Sequence, residues 1–240
     1  MASSSPGRAS QPGGSIDIIL FDLDGTLIDT TDLISRSYQH ALTSVLGQPM
    51  APDELFLGYG QPLPEAFGSI LAHRRESPVG STDATLVDRL IASYREFNVA
   101  NHDLLAREFP GVRTILGELG RRGYVLGLVT SKGREIATRG LRLLDLTGVF
   151  HSLVFMEDSA RHKPHPDPIW VALDRLGARD RPRCALYVGD STHDLRAGRA
   201  AGVRTAGALW GPFPPESLAA EEPDYLLRAP DDLLDLLAKR

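Results

Sequence analysis

Residues 16–21 (IDIILF) form a short apolar, β-branched run that stops abruptly at Asp22-Leu23-Asp24-Gly25-Thr26. A segment apolar on both alternating faces reads as a strand buried on both sides, and such strands belong to parallel sheets. Two comparable runs recur far downstream, residues 124–129 (YVLGLV) and 184–188 (CALYV), and each also runs into polar residues. Residues 153–155 and 203–206 are weaker strand candidates, with 225–227 as an edge. Helical patterns lie between them. Val112, Ile115, Leu116 and Leu119 recur at helical spacing until Gly120 and Gly123. Asp167-Pro168 reads as a capping residue followed by proline at the first helical position, and Ile169, Ala172, Leu173 and Leu176 make the buried stripe before Gly177. Strands alternating with helices imply a parallel sheet with helices on both faces.

Residues 30–104 break that rhythm. Leu33, Ile34, Tyr38, Ala41, Leu42, Val45 and Leu46 trace one amphipathic helix ending at Gly47. A stretch rich in proline and glycine follows (Pro52, Gly58, Gly60, Pro62, Pro64), then further helix near residues 86–97. The expected organisation is therefore a core of residues 16–29 and 105–240, with an all-helical insertion at 30–104. Residues 1–15, rich in Ser, Gly and Pro and without a hydrophobic stretch, read as a flexible tail rather than a signal peptide.

Composition narrows the function classes. Acidic residues outnumber basic ones 31 to 26, so no basic footprint for nucleic acid is present, and no run of eighteen apolar residues suggests a membrane span. The one cysteine, Cys184, excludes an intrachain disulfide and a cysteine-based zinc cluster, and fits a cytoplasmic location.

Four polar clusters follow strand-like runs: Asp22 and Asp24; Thr130-Ser131-Lys132; Lys163 within HKPHP; and residues 189–194 (GDSTHD). In an open parallel sheet, ligands bind at the carboxyl ends of the strands, so all four should converge on one crevice. Asp22, Asp24 and Asp190 would repel one another there unless a hard cation such as Mg²⁺ sat among them. A carboxylate so held can act as a nucleophile, and Asp24 can exchange a proton with a leaving group or water. Thr130 and Lys163 would then bind phosphoryl oxygens. Ser131 is counted with them as substrate-binding; it and Lys132 either touch substrate or cap the next helix and face water.

The ordered set FDLDGTLIDT, VTSK, HKPHPDP and VGDSTHD resembles the four signatures of the haloacid dehalogenase-like phosphohydrolases, over nearly the whole chain after residue 15. The resemblance implies a Rossmann-like α/β core with an inserted α-helical cap. It implies an aspartyl-phosphate on Asp22, general acid–base work by Asp24, and Mg²⁺ held by Asp22, the Asp24 backbone carbonyl and Asp190. Asp194 matches a second acidic position that orients the metal from the outer shell. True dehalogenases generally lack the carboxylate at Asp24, so phosphoryl chemistry is expected. The segments FLGYGQPLPEAF and YREFNVANHDLLAREFPGV resemble the phosphoglycolate phosphatase and inorganic pyrophosphatase branch.

The expected activity is hydrolysis of a small phosphorylated metabolite by a monomer or homodimer, with no nucleic-acid or membrane partner. A phosphosugar mutase shares the same residues, and a non-catalytic phosphate-sensing or partner-binding protein would keep the fold. His162, His165 and His193 read as solvated loop residues, and His73, Arg74 and Arg75 either supply cations to an anionic substrate or form a charged helix face. Residues 210–213 (WGPF) follow a strand end and border the site by position alone.

Overall fold

The computed structural model describes residues 15–51, 54–74 and 84–238. The tail at 1–14, Pro52 and Arg75 lie outside the described residues. The first apolar run forms β1 (Ile18–Phe21), followed by β2 (Ile28–Asp29). Four helices come next: α1 (Thr31–Leu46), α2 (Glu54–Gly58), α3 (Leu63–His73) and α4 (Ala84–Leu105). The chain then continues through β3 (Arg107–Glu108), α5 (Val112–Arg121), β4 (Val125–Val129), α6 (Arg134–Leu143), β5 (Ser152–Val154) and α7 (Asp167–Arg175). It ends with β6 (Ala185–Gly189), α8 (Thr192–Ala201), β7 (Arg204–Ala208), α9 (Pro215–Ala219), β8 (Tyr225–Leu227) and α10 (Asp232–Ala238).

The main sheet has the order β5-β4-β1-β6-β7-β8, and every pairing in it is parallel. β1 lies between β4 and β6, with Ile18 opposite both Val125 and Ala185. This explains its continuous apolar run: Ile19, Phe21, Leu126, Val188 and their neighbours pack on one face, Ile18, Leu20 and Tyr187 on the other. The first face is covered by residues of α5, α6 and α10 such as Leu116, Ala137 and Leu233; the second by residues of α7 and α8 such as Ile169 and Ala197. Strands that switch connection on either side of β1 leave their carboxyl ends around a common crevice.

Sequence patterning located most elements and misjudged some edges. α1 ends at Gly47, whose φ of 70° favours a residue without a Cβ. Asp167 is the first residue of α7 rather than its cap; its carboxylate accepts a hydrogen bond from Arg161 instead. Cys184 belongs to a short 3₁₀ turn just before β6. α4 runs through Leu105, well past the expected stretch, because its buried positions include the polar Asn98 and His102, which an apolar pattern misses. The antiparallel pair β2–β3 was also missed: Ile28 faces Glu108 and Asp29 faces Arg107. Two residues per strand carry too little alternation to register as strands, yet this ribbon closes the base of the insertion.

The inserted helices carry their own core. Tyr38, Phe67 and Tyr94 meet edge to face, with centroid separations of 4.9 to 6.2 Å. Such contacts add specific geometry to large apolar burial. Leu195, Phe213 and Leu218 of the sheet-bearing part join this cluster, so the helical cap is seated on the core.

Candidate active site

Asp22 follows β1 directly, and its backbone amide donates to the Val188 carbonyl of β6 (2.9 Å). Gly25 turns the chain sharply at φ 84°, and a Cβ there would lie 2.2 Å from Asp190 Oδ2. Only glycine lets the backbone approach that carboxylate so closely. Thr26 Oγ1 donates to Asp190 Oδ1 (2.8 Å), which ties the first loop to the one after β6. Ser191 and Asp194 then form a reciprocal capping box at the start of α8.

Asp22, Asp190 and Asp194 each present a carboxylate oxygen within 4.8 Å of the others, and all three are buried. Lys163 Nζ enters this group from the loop after β5. It donates to Asp22 Oδ1 (2.8 Å), Asp194 Oδ1 (2.6 Å) and the Tyr187 hydroxyl (3.1 Å), so its three protons are all engaged. Asp24 is set apart: its Oδ1 accepts from Thr30 Oγ1 and Lys132 Nζ, both at 2.7 Å.

Charges in this cluster shift one another. Burial pushes the Asp22 carboxyl up to about 7 against the opposing pull of Lys163. Burial, with Asp194 and Asp22 nearby, likewise raises the Asp190 carboxyl well above the usual range. Asp194 goes the other way: the Lys163 ammonium and the Ser191 hydroxyl outweigh its burial and hold it below that range. For Lys163, its two carboxylate partners overcome the burial that disfavours an ammonium and raise its pKa.

The residues fit a divalent cation. Three carboxylates against one ammonium leave a formal charge of −2 in a buried space. Asp190 Oδ2 is buried and has no hydrogen-bond donor among the described residues. An all-oxygen donor set with one unpartnered carboxylate oxygen suits a hard metal ion. Asp22 and Asp190 are the side chains placed to hold it, beside the anchored Asp194.

A cavity of about 780 Å³ opens above these groups, bounded by Asp22, Asp24, Thr130 and Lys163 on the core side and by Tyr38 and Tyr94 on the cap side. Thr130 is buried, and its Oγ1 accepts from the Lys132 amide (3.1 Å). Ser131 also lines the cavity, with its Oγ buried and unpartnered among the described residues. The structure thus gathers all seven candidate side chains at one end of the sheet. Lys132 also lines the cavity, and instead of simply facing water its Nζ pairs with Asp24 at 2.7 Å. Tyr187, Thr26 and Thr30 went unrecognised. Thr26 sat within the motif, whereas the hydroxyl of Tyr187 was hidden in an apolar strand. His165 is exposed as expected, but His162 and His193 are half-buried with Nδ1 atoms out of solvent.

The family model for haloacid dehalogenase-like hydrolases matches residues 19–208. The chain belongs to this family. Among curated relatives of this hydrolase, the pyrophosphatase PpaX of Bacillus velezensis is 39% identical over 221 residues, covering 92% of this chain and 96% of the relative. PpaX of Anoxybacillus flavithermus is also 39% identical, over 93% of this chain and 97% of its own. Among solved structures, a haloacid dehalogenase-like hydrolase of Bacteroides fragilis superposes with a TM-score of 0.81 at 26% identity, covering 91% of this chain and all of its own. A predicted phosphoglycolate phosphatase of Haemophilus somnus 129pt reaches 0.79 at 24% identity, over 92% and 97% of the two chains, and shares the fold. Among the described residues, no helix is long and apolar enough to cross a membrane.

Proposed function

We propose that this hydrolase is a Mg²⁺-dependent phosphatase acting on a small phosphorylated metabolite, with pyrophosphate the leading substrate. The observation that carries this reading is the buried cluster of three carboxylates and one ammonium, whose charge one divalent ion would balance, facing a cavity that a cap covers. Pyrophosphate leads over 2-phosphoglycolate because relatives named for it are 39% identical over nearly the whole chain, whereas the phosphoglycolate-named likeness is one of fold.

Asp22, the Asp24 carbonyl and Asp190 would hold Mg²⁺. When bound, the ion supplies charge neutralisation that lets a doubly charged phosphoryl group approach a carboxylate. Lys163 fixes one Asp22 oxygen and opposes the burial that favours its protonated form, leaving the other oxygen to attack phosphorus. The bond from phosphorus to the leaving oxygen breaks as the Asp22–phosphorus bond forms, and Asp24 gives that oxygen its proton. Asp24 then takes a proton from water as the water attacks the aspartyl-phosphate, which releases phosphate and restores Asp22. Thr130 and Ser131 bind phosphoryl oxygens from the loop after β4. Asp194 anchors Lys163 and caps α8 instead of touching substrate. The helical segment 30–104 serves as the lid over the 16–29 and 105–240 core: open for entry, closed to exclude water during transfer.

Phosphate release should be measured on pyrophosphate, 2-phosphoglycolate and several sugar phosphates, with Mg²⁺ and with a chelator. Mg²⁺-dependent release supports the reading. Conversion of a hexose 1-phosphate to its isomer without phosphate release would replace it with a mutase, and inertness towards every substrate would favour a binding protein.

A further inference from the structure

Residues 209–213 leave β7 and cross from the sheet to the cap, and three of them contact different parts of the molecule. Trp210 Nε1 donates to the Thr26 carbonyl (2.9 Å), and Thr26 in turn holds Asp190. Gly211 lies so near the cation carboxylate that a Cβ on it would sit 2.3 Å from the Asp190 Cβ and 2.7 Å from the Gly25 carbonyl oxygen. Phe213 then turns away from the sheet. Its ring meets Phe56 at 5.4 Å and Tyr59 at 5.9 Å, both of the cap, and it is only 7% exposed.

Phe213 therefore belongs by chain to the core and by packing to the cap. It has no part in either apolar cluster that sandwiches the sheet. The cap segment it touches is the one that roofs the site: Tyr59, Gly60, Gln61 and Pro62 line the cavity together with Asp22. On its other side that segment rests on α8, where a Cβ at Gly60 would come within 3.2 Å of Ser191 Oγ.

We propose that Phe213 is a positioning residue for the reaction: it seats cap residues 56–62 over Asp22, on a strap that Trp210 and Gly211 fix against the Asp190 carboxylate. It touches no reacting atom and acts through the cap roof. The strap path is set by the same acidic loop that carries the chemistry, so the roof is registered to the site instead of resting anywhere along the sheet edge. The consequence for turnover rests on the phosphohydrolase reading; the seating itself does not.

Phe213→Ala and Phe213→Leu test this in the full chain. Amide exchange without substrate should show faster opening of residues 54–73 in Phe213→Ala, with β1 and β6 unchanged and Phe213→Leu close to wild type. With pyrophosphate and Mg²⁺, Phe213→Ala should raise KM about tenfold, with a smaller fall in kcat, since a loosened roof weakens binding before it weakens chemistry. Unchanged exchange at 54–73 would overturn the proposal, and so would equal acceleration in β1 and β6, which marks general destabilisation. A fall in kcat at constant KM would also overturn it. A wild-type chain that hydrolyses nothing would defeat the phosphohydrolase reading, and the exchange data would still decide the seating.

Discussion

On the core side of the cavity, Asp22, Lys163, Asp190 and Asp194 are joined by charged hydrogen bonds and buried contacts, and Lys163 is 1% exposed along its side chain. On the cap side, Tyr38, Phe67 and Tyr94 meet ring to ring, and the wall depends on apolar burial. The difference separates two jobs. Charged groups held at the ends of parallel strands keep fixed positions because hydrogen bonds tie one loop to another, Lys163 to Asp22 and Asp194 and Thr26 to Asp190. Aromatic packing is less directional, and the cap meets the core through apolar contacts and the part-exposed Arg139–Asp103 pair, apart from the buried network around Lys163.

The largest expected effect breaks the core wall alone. Asp22→Asn should lower kcat for phosphate release by at least about 10⁴-fold while leaving the circular dichroism spectrum and cap exchange unchanged. Wild-type turnover in that variant would remove Asp22 from the nucleophile's role.

Lys163→Met sharpens the contrast in stability. It leaves Asp22 and Asp194 buried without their shared cation, which should cost about 3–5 kcal/mol in a denaturant titration. A change of under about 1 kcal/mol would mean the charged wall is not held together by this pair.

Phe67→Ala attacks the other wall. Phe67 is fully buried in the cap cluster, and its removal should destabilise the cap by about 3–5 kcal/mol. Exchange should quicken in α1, α3 and α4 but not in β1 or β6. Uniform quickening would show that the two walls unfold as one.

The smallest effect is a pH dependence confined to the core wall. Asp22, raised to about 7, and Asp190, also raised, hold their protons more tightly folded than unfolded. Their contribution is therefore fully present below the ordinary carboxylate range and is lost as pH rises towards about 7. In chelator the melting temperature should fall between pH 5 and pH 8, and Mg²⁺ should restore it at pH 8. Asp194, lowered instead, contributes in the opposite sense and loses its share only in acid. A melting temperature that rises over that interval in chelator would contradict the shifts.

Much of the core site was legible in the chain because strand ends carry it. Asp22, Thr130 and Asp190 each follow directly on an apolar run, and a parallel sheet brings such positions together whatever their separation in sequence. Lys163 could be read from its motif, but its engagement of all three protons could not. The cap was legible as helix and no further. Its contacts with the core include Phe213, a lone aromatic among prolines and glycines, which has no periodicity to give it away.

The sequence by itself determined the alternation of strands and helices, the place of the helical insertion and the identity of the acidic residues, because each is encoded in local pattern or spacing. Tertiary structure decided how charges are shared: Lys132 with Asp24, Lys163 between Asp22 and Asp194, and Asp190 left with one oxygen unpartnered among the described residues. It also decided that a strap from β7 would meet the cap. These are distances between residues far apart in the chain, such as Thr26 and Asp190 at 164 positions and Thr26 and Trp210 at 184. A linear pattern carries no measure of such distances until the sheet closes them.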